Sequence, residues 1–259
     1  MAHVEMQAHG DIIEIRLARA PVNALDPGLC HAIVTAVQVA TTDGARGIAL
    51  TGGPSVFSAG LDVPYLMSLG GDREALMHAW TAFFGAARAL VGSPVPIAAG
   101  MAGHAPAGGC VLALCCDYRV MARSPDPAKP FRIGLNETQV GLVAPEGIQR
   151  LLRRVVGPHR AERLLVGGLM PTTDEAHAIG LVDEIGSIDD TAARAVAWLQ
   201  GLAALPRQPV LQTRAVARAD AVEALAPEHV PLDRFVDAWY SADTQAALRA
   251  VLERLGKSR

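Results

Sequence analysis

The chain has 259 residues, 51% hydrophobic and 19% charged, which suits one large domain or two small ones around a substantial core and excludes a disordered chain. Lys and Arg total 23 against 26 Asp and Glu, a net charge of −3, and only 4% of residues are aromatic. Neither a general basic surface nor a base-stacking platform for nucleic acid is supplied.

In chain order, residues 3–7 and 11–17 are expected as a strand pair turning at His9-Gly10, because Ile13, Ile15 and Leu17 alternate with Glu14 and Arg16. Asp26-Pro27 opens a helix to about residue 41, with Asp as cap and Pro in the first position. GIALT at 47–51 reads as a short buried strand ending on Gly52-Gly53-Pro54. Asp72 caps a long helix to about residue 91; 96–102 is a strand, 108–116 a small-residue helix and 118–122 a strand. Residues 124–130 hold three prolines in seven and form a loop. From Pro145 onward helices are expected at 145–156, 158–167, 173–179, 189–204, 209–225 and 231–255, with a joint at 205–209. The pattern is an α/β core followed by a helical tail.

No basic, apolar leader and no apolar run of about 18 residues stands out, so neither a signal peptide nor a membrane span is expected. Cys30, Cys110, Cys115 and Cys116 contain no CxxC and read as reduced core thiols of a cytoplasmic protein. No G-x-S-x-G elbow, phosphate loop, HExxH or His/Cys cluster at ligand spacing occurs, so no metal site is expected. His104 and Cys110 are better read as a turn histidine and a small core residue than as catalytic groups.

Three segments carry more. Val56–Asp62 (VFSAGLD) follows the GIALT strand, and Pro106–Cys110 (PAGGC) follows the strand near Pro96. Each is a small-residue turn feeding a helix, where backbone N–H groups favour negative charge. Two such turns after two successive buried strands can converge into a two-donor oxyanion hole. The third is Gly134–Gly141 (GLNETQVG). On composition alone its Glu137 is a helix-cap or solvated carboxylate.

With these segments, PVNAL at 21–25, IGLNETQVGLVAP at 133–145, GPHRAERLLVGGLM at 157–170 and GLVDEI at 180–185, the chain resembles the crotonase (enoyl-CoA hydratase/isomerase) superfamily over nearly its whole length. Within it, the chain looks closest to the mitochondrial-type Δ3,Δ2-enoyl-CoA isomerases. The resemblance implies a crotonase-type spiral of ββα units over residues 1–190 and a C-terminal helical trimerisation region over 191–259. It implies an acyl-CoA substrate, with coenzyme A entering as part of that substrate and no separate cofactor, and a homotrimer or hexamer. The oxyanion donors map to the backbone N–H groups of Leu61 and Gly108. Ala59, Gly60, Asp62 and Val63 line the coenzyme path, residues 63–71 shape the acyl pocket, and Asn136 contacts substrate. Asp62 and Asp117 also carry structural or capping roles.

Hydratases of this superfamily carry two glutamates; here one position is Val111 and the other Glu137. Valine cannot hold a water molecule, whereas moving a double bond needs one base that takes a proton and returns it two carbons away. A single Glu137 therefore points to isomerisation of a 3-enoyl-CoA. The alternatives are a hydratase-like or other crotonase lyase or hydrolase reaction, with Glu146 as a second carboxylate, or a non-catalytic acyl-CoA-binding protein. Arg150, Arg153 and Arg154 form a basic helical face that reads as solvated more readily than as a phosphate contact.

Overall fold

The computed structural model describes residues 3–257, with side chains to residue 253. Strands β1 (Val4–His9) and β2 (Ile12–Leu17) form the expected hairpin. Helix α1 (Pro27–Thr42) begins where Asp26 accepts the Leu29 N–H at 2.8 Å. Then come β3 (Gly47–Thr51), α2 (Val63–Ser68), α3 (Arg73–Val91), β4 (Ile97–Met101), β5 (Ala105–Pro106), α4 (Gly108–Leu114), β6 (Tyr118–Ala122) and β7 (Ile133–Gly134). A 3-10 turn at Glu137–Val140 precedes α5 (Glu146–Val156), α6 (Pro158–Gly167), α7 (Thr173–Ala178), β8 (Glu184–Gly186) and α8 (Thr191–Ala203). The chain ends in α9 (Arg207–Ala217), α10 (Ala219–Ala224), α11 (Leu232–Trp239) and α12 (Ala242–Lys257).

The main sheet runs β1-β2-β3-β4-β6-β8, parallel except for the first pair. Every residue of β3 and β4 is buried, as continuous apolar runs in a two-sided parallel sheet require. Residues of α1 and α3 pack into the large core with Ile15, Ile48, Leu50 and Ala99. Helix α8 closes the other face, setting Ala195, Val196 and Leu199 on Ile12, Ala49, Ala98 and Val120. It approaches so closely that a Cβ on Gly100 would lie 2.9 Å from the Thr191 carbonyl oxygen. Helix α8, which follows residue 190, thus packs on this sheet.

Two expected tail helices are each broken in two. Between α9 and α10, Arg218 turns its guanidinium inward to the Cys115 and Cys116 carbonyls. Between α11 and α12, Ser241 accepts the Thr244 N–H on its Oγ and starts a new helix. Asp117 is structural, as read: it accepts the Ile97 N–H at 2.8 Å and a two-bonded Arg214 at 2.7 and 2.9 Å. All four cysteines are free and buried.

Candidate active site

The two glycine-rich turns meet backbone to backbone. Residues 55–57 pair with His104, through Phe57 N–H to His104 O at 2.9 Å and His104 N–H to Ser55 O at 3.0 Å. Beyond that pairing, a Cβ on Gly109 would lie 2.4 Å from Ser58 O, and one on Gly60 would lie 2.9 Å from Gly108 N. Gly60 also has φ +81°, so a side chain there is excluded by both backbone and neighbour.

Leu25 donates to Gly60 O at 2.7 Å and accepts from Asp62 N–H at 3.1 Å. Those two bonds flank Leu61 and leave its own N–H directed away from Leu25. Gly108 opens α4, where the first N–H groups have no helical partner. Among the described residues neither the Leu61 nor the Gly108 N–H finds an acceptor. Ala107, within the Pro106–Cys110 turn, precedes Gly108 at φ +45° and ψ −117°, a conformation its residue type does not announce. Such a backbone costs about 1–3 kcal/mol in a residue with a side chain. It is held by Ala107 N–H to Gly134 O at 2.8 Å and Val111 N–H to Ala107 O at 3.0 Å.

The β5–β7 pair brings in the third segment. Pro106 lies opposite Gly134 in parallel register, so the chain reaches Gly108 and Glu137 within three residues of one ladder rung. Glu137 begins the 3-10 turn, which Gly141 closes at φ +74°. The residue is half-buried, but its Oε2 is out of solvent with no hydrogen-bond partner among the described residues. Burial raises the carboxyl pKa to about 7, while its own backbone N–H acts in the opposite sense. Its charge also raises the pKa of the Cys110 thiol, after burial as the main cause, consistent with closeness to the first turn of α4. A cleft of about 190 Å³ opens beside it, lined by Thr138, Val143, Ala144, Gln149, Leu165 and Val166. Glu137 is the one titratable side chain in that lining.

The other expected residues fall into place differently. Val111 is fully buried, with no carboxylate in its stead. Ala59, Val63 and Asn136 are half-buried near the turns. The Asp62 carboxylate is engaged within the protein: one oxygen accepts the Tyr65 N–H at 3.0 Å and the other meets Arg19 at 2.7 Å. That supports its capping role.

Glu146 points outward, 58% exposed and paired with Arg150 at 2.7 Å, so it adds no second carboxylate to the cleft. Arg154 is likewise engaged, with Asp220 at 2.9 Å. Burial, followed by the charges of Glu137 and Arg119, sets the Cys110 thiol pKa, with a net rise that makes it a poor nucleophile. His104 accepts the Arg132 N–H on Nδ1 at 3.1 Å, and burial and Arg132 lower its pKa, so it is a neutral strand tie.

The pattern describing enoyl-CoA hydratase/isomerase proteins matches residues 7–257. The human mitochondrial enoyl-CoA delta isomerase 1 is 30% identical over 264 aligned residues, covering 99% of this chain and 84% of that protein. A probable enoyl-CoA hydratase of Mycobacterium avium is 31% identical, over 77% of this chain and 75% of its own. The crystal structure of human mitochondrial delta3-delta2-enoyl-CoA isomerase superposes with a TM-score of 0.90 at 29% identity, covering 99% of both chains. An enoyl-CoA hydratase from Bacillus halodurans shares the fold, with a TM-score of 0.85 at 21% identity over 96% of this chain and 99% of its own.

Proposed function

The chain belongs to the enoyl-CoA hydratase/isomerase family, and we propose that within it the protein is a Δ3,Δ2-enoyl-CoA isomerase. The observation that carries this reading is the lone carboxyl of Glu137: Oε2 is buried with no partner among the described residues, in a cleft whose other lining residues are uncharged. Hydration needs a second group to hold water, and Val111 and the outward Glu146 offer none.

In the proposed reaction the thioester oxygen of a 3-enoyl-CoA accepts the Leu61 and Gly108 N–H groups. Ionised Glu137 removes a proton from C2, and the electron pair spreads over a dienolate whose charge rests on the thioester oxygen. Each donor contributes about 3 kcal/mol by meeting that charge without reorganising. The same carboxyl then delivers its proton to C4 as the double bond settles between C2 and C3. No atom is gained or lost. A pKa of about 7 suits a group that is base and acid in one turnover. Burial raises it, and the partly or fully buried Ala144 and Leu165 give the cleft apolar lining beside the carboxyl.

Coenzyme A is substrate in this scheme, and the chain supplies the chemistry without a further cofactor. Ala59, Gly60, Val63 and Asn136 border the path of the bound thioester. The expected homotrimer or hexamer belongs to the same proposal; Val166 and Val216, 75% and 80% exposed, offer apolar surface to a second copy. The test is conversion of a trans-3-enoyl-CoA, followed by absorbance of the conjugated thioester and by product mass. Conjugation without added water, lost in Glu137→Gln, is expected. A product one water heavier points to the hydratase reading, and binding without turnover to the non-catalytic one.

A further inference from the structure

Glu137 is carried on a short turn, and something outside that turn must aim it. Its internal bonds are all backbone to backbone and span only residues 136–142: Gln139 N–H to Asn136 O at 3.0 Å, Leu142 N–H to Glu137 O at 2.9 Å, and Gly141 N–H shared between Glu137 O and Thr138 O, the latter at 3.3 Å. On one side Thr138 and Gln139 donate to the Leu165 and Gly167 carbonyls of α6, both at 3.3 Å and at exposed positions. On the other side lies the C-terminal helix. Thr244 of α12 is 3% exposed and its hydroxyl donates to Gly141 O at 2.5 Å. Ser241 donates to the Thr244 oxygen at 2.9 Å, so the Thr244 proton is committed to Gly141. Contact is as close as backbone allows, since a Cβ on Gly141 would lie 2.9 Å from Ala247 Cβ and 3.0 Å from Thr244 Cα. Helix α12 also packs on α2, the helix that follows Leu61. One element thus touches both the base-bearing turn and the segment beyond the first donor.

We propose that Thr244 is a positioning residue for the isomerisation: through the Gly141 carbonyl it fixes the 3-10 turn that aims the Glu137 carboxyl. This rests on the isomerase reading, deepening it by one residue that touches no substrate. The part-buried bond from the enclosed Thr244 hydroxyl sets the turn's place, whereas the exposed bonds to α6 compete with water. Gly141 is the hinge, closing the turn in a left-handed conformation and presenting its carbonyl to α12.

The test compares Thr244→Val, which keeps the shape and removes the hydroxyl, with Thr244→Ser, which keeps the hydroxyl. Conjugation of a trans-3-enoyl-CoA is measured beside amide exchange at Leu142, whose N–H is bonded to Glu137 O. Thr244→Val is expected to lower kcat by about tenfold to hundredfold with KM within about twofold, the scale of a catalytic group displaced by a fraction of an ångström to an ångström. Leu142 exchange should accelerate in the same variant, and Thr244→Ser should restore both. Thr244→Val with kcat within about twofold of wild type overturns the proposal, as does an equal loss in both variants. A purely structural role would lower the melting temperature and leave kcat per folded molecule alone. Should wild type not conjugate the substrate, or Glu137→Gln keep full rate, the isomerase reading itself fails. Leu142 exchange then decides alone whether Thr244 holds the turn.

Discussion

The turns that present Leu61 and Gly108 and the turn that carries Glu137 are held by different forces. The donor turns are backbone against backbone. They are locked by strand-like bonds at 2.7–3.1 Å and by glycines whose missing Cβ atoms leave room for the neighbouring chain. The base turn is a side chain on four residues, tied to α6 and α12 by hydroxyl and amide side chains. The proposed oxyanion site gains from rigidity, because its donors must not reorganise. A base that takes a proton at one carbon and returns it at another gains from a pKa poised near the working pH, which burial among apolar side chains supplies.

The sharpest way to break this contrast is at the base. Glu137→Gln keeps the shape and removes the proton acceptor; kcat for conjugation should fall by about 10³–10⁴, measured by absorbance with melting intact. Next is Gly60→Ala, which pushes a methyl to within 2.9 Å of Gly108 N. Loss of about 10² in kcat is expected from displaced donors, with the pH midpoint set by Glu137 unmoved in the residual activity. A moved midpoint would mean that the two regions are not separate.

Stability gives a readout free of substrate. Glu137 has a folded pKa of about 7, above the ordinary 4.5, so the folded state holds its proton more tightly. That contribution is present below pH 4.5 and is lost as pH rises through about 7. Glu137→Gln does not titrate, so it should match wild type near pH 4 and exceed it by about 3 kcal/mol above pH 8, on denaturant titration. Equal pH dependence in the two proteins contradicts a buried carboxyl. Glu146→Gln should change neither rate nor melting, since its partner is an exposed arginine; a rate loss would return Glu146 to the mechanism.

Much of the scaffold is legible in the sequence. Asp26 and Asp72 cap α1 and α3 where Asx-initiated helices were expected, and the apolar runs GIALT and YRVMA are strands β3 and β6. These depend on neighbours in sequence. The break at Arg218 was not legible, because its guanidinium is drawn inward by carbonyls about a hundred residues away. The two-residue strands β5 and β7 are too short for a pattern, yet they bring the Glu137 segment beside Gly108. Composition left Glu137 a cap or a solvated side chain, and only the family resemblance put it forward as the proposed base. Its cleft is lined by residues such as Ala144 and Leu165, on segments its own sequence does not reveal. Ala107 gave no signal, since nothing about alanine announces a positive φ.

The most direct measurement is the pH profile of kcat/KM for conjugation of a trans-3-enoyl-CoA. A base must be ionised in the free enzyme, so the profile should rise with pH and level off with a midpoint near the Glu137 pKa of about 7. A midpoint near 4.5, the ordinary value for a solvated glutamate, or the same rise persisting in Glu137→Gln, would contradict a buried Glu137 as the single base.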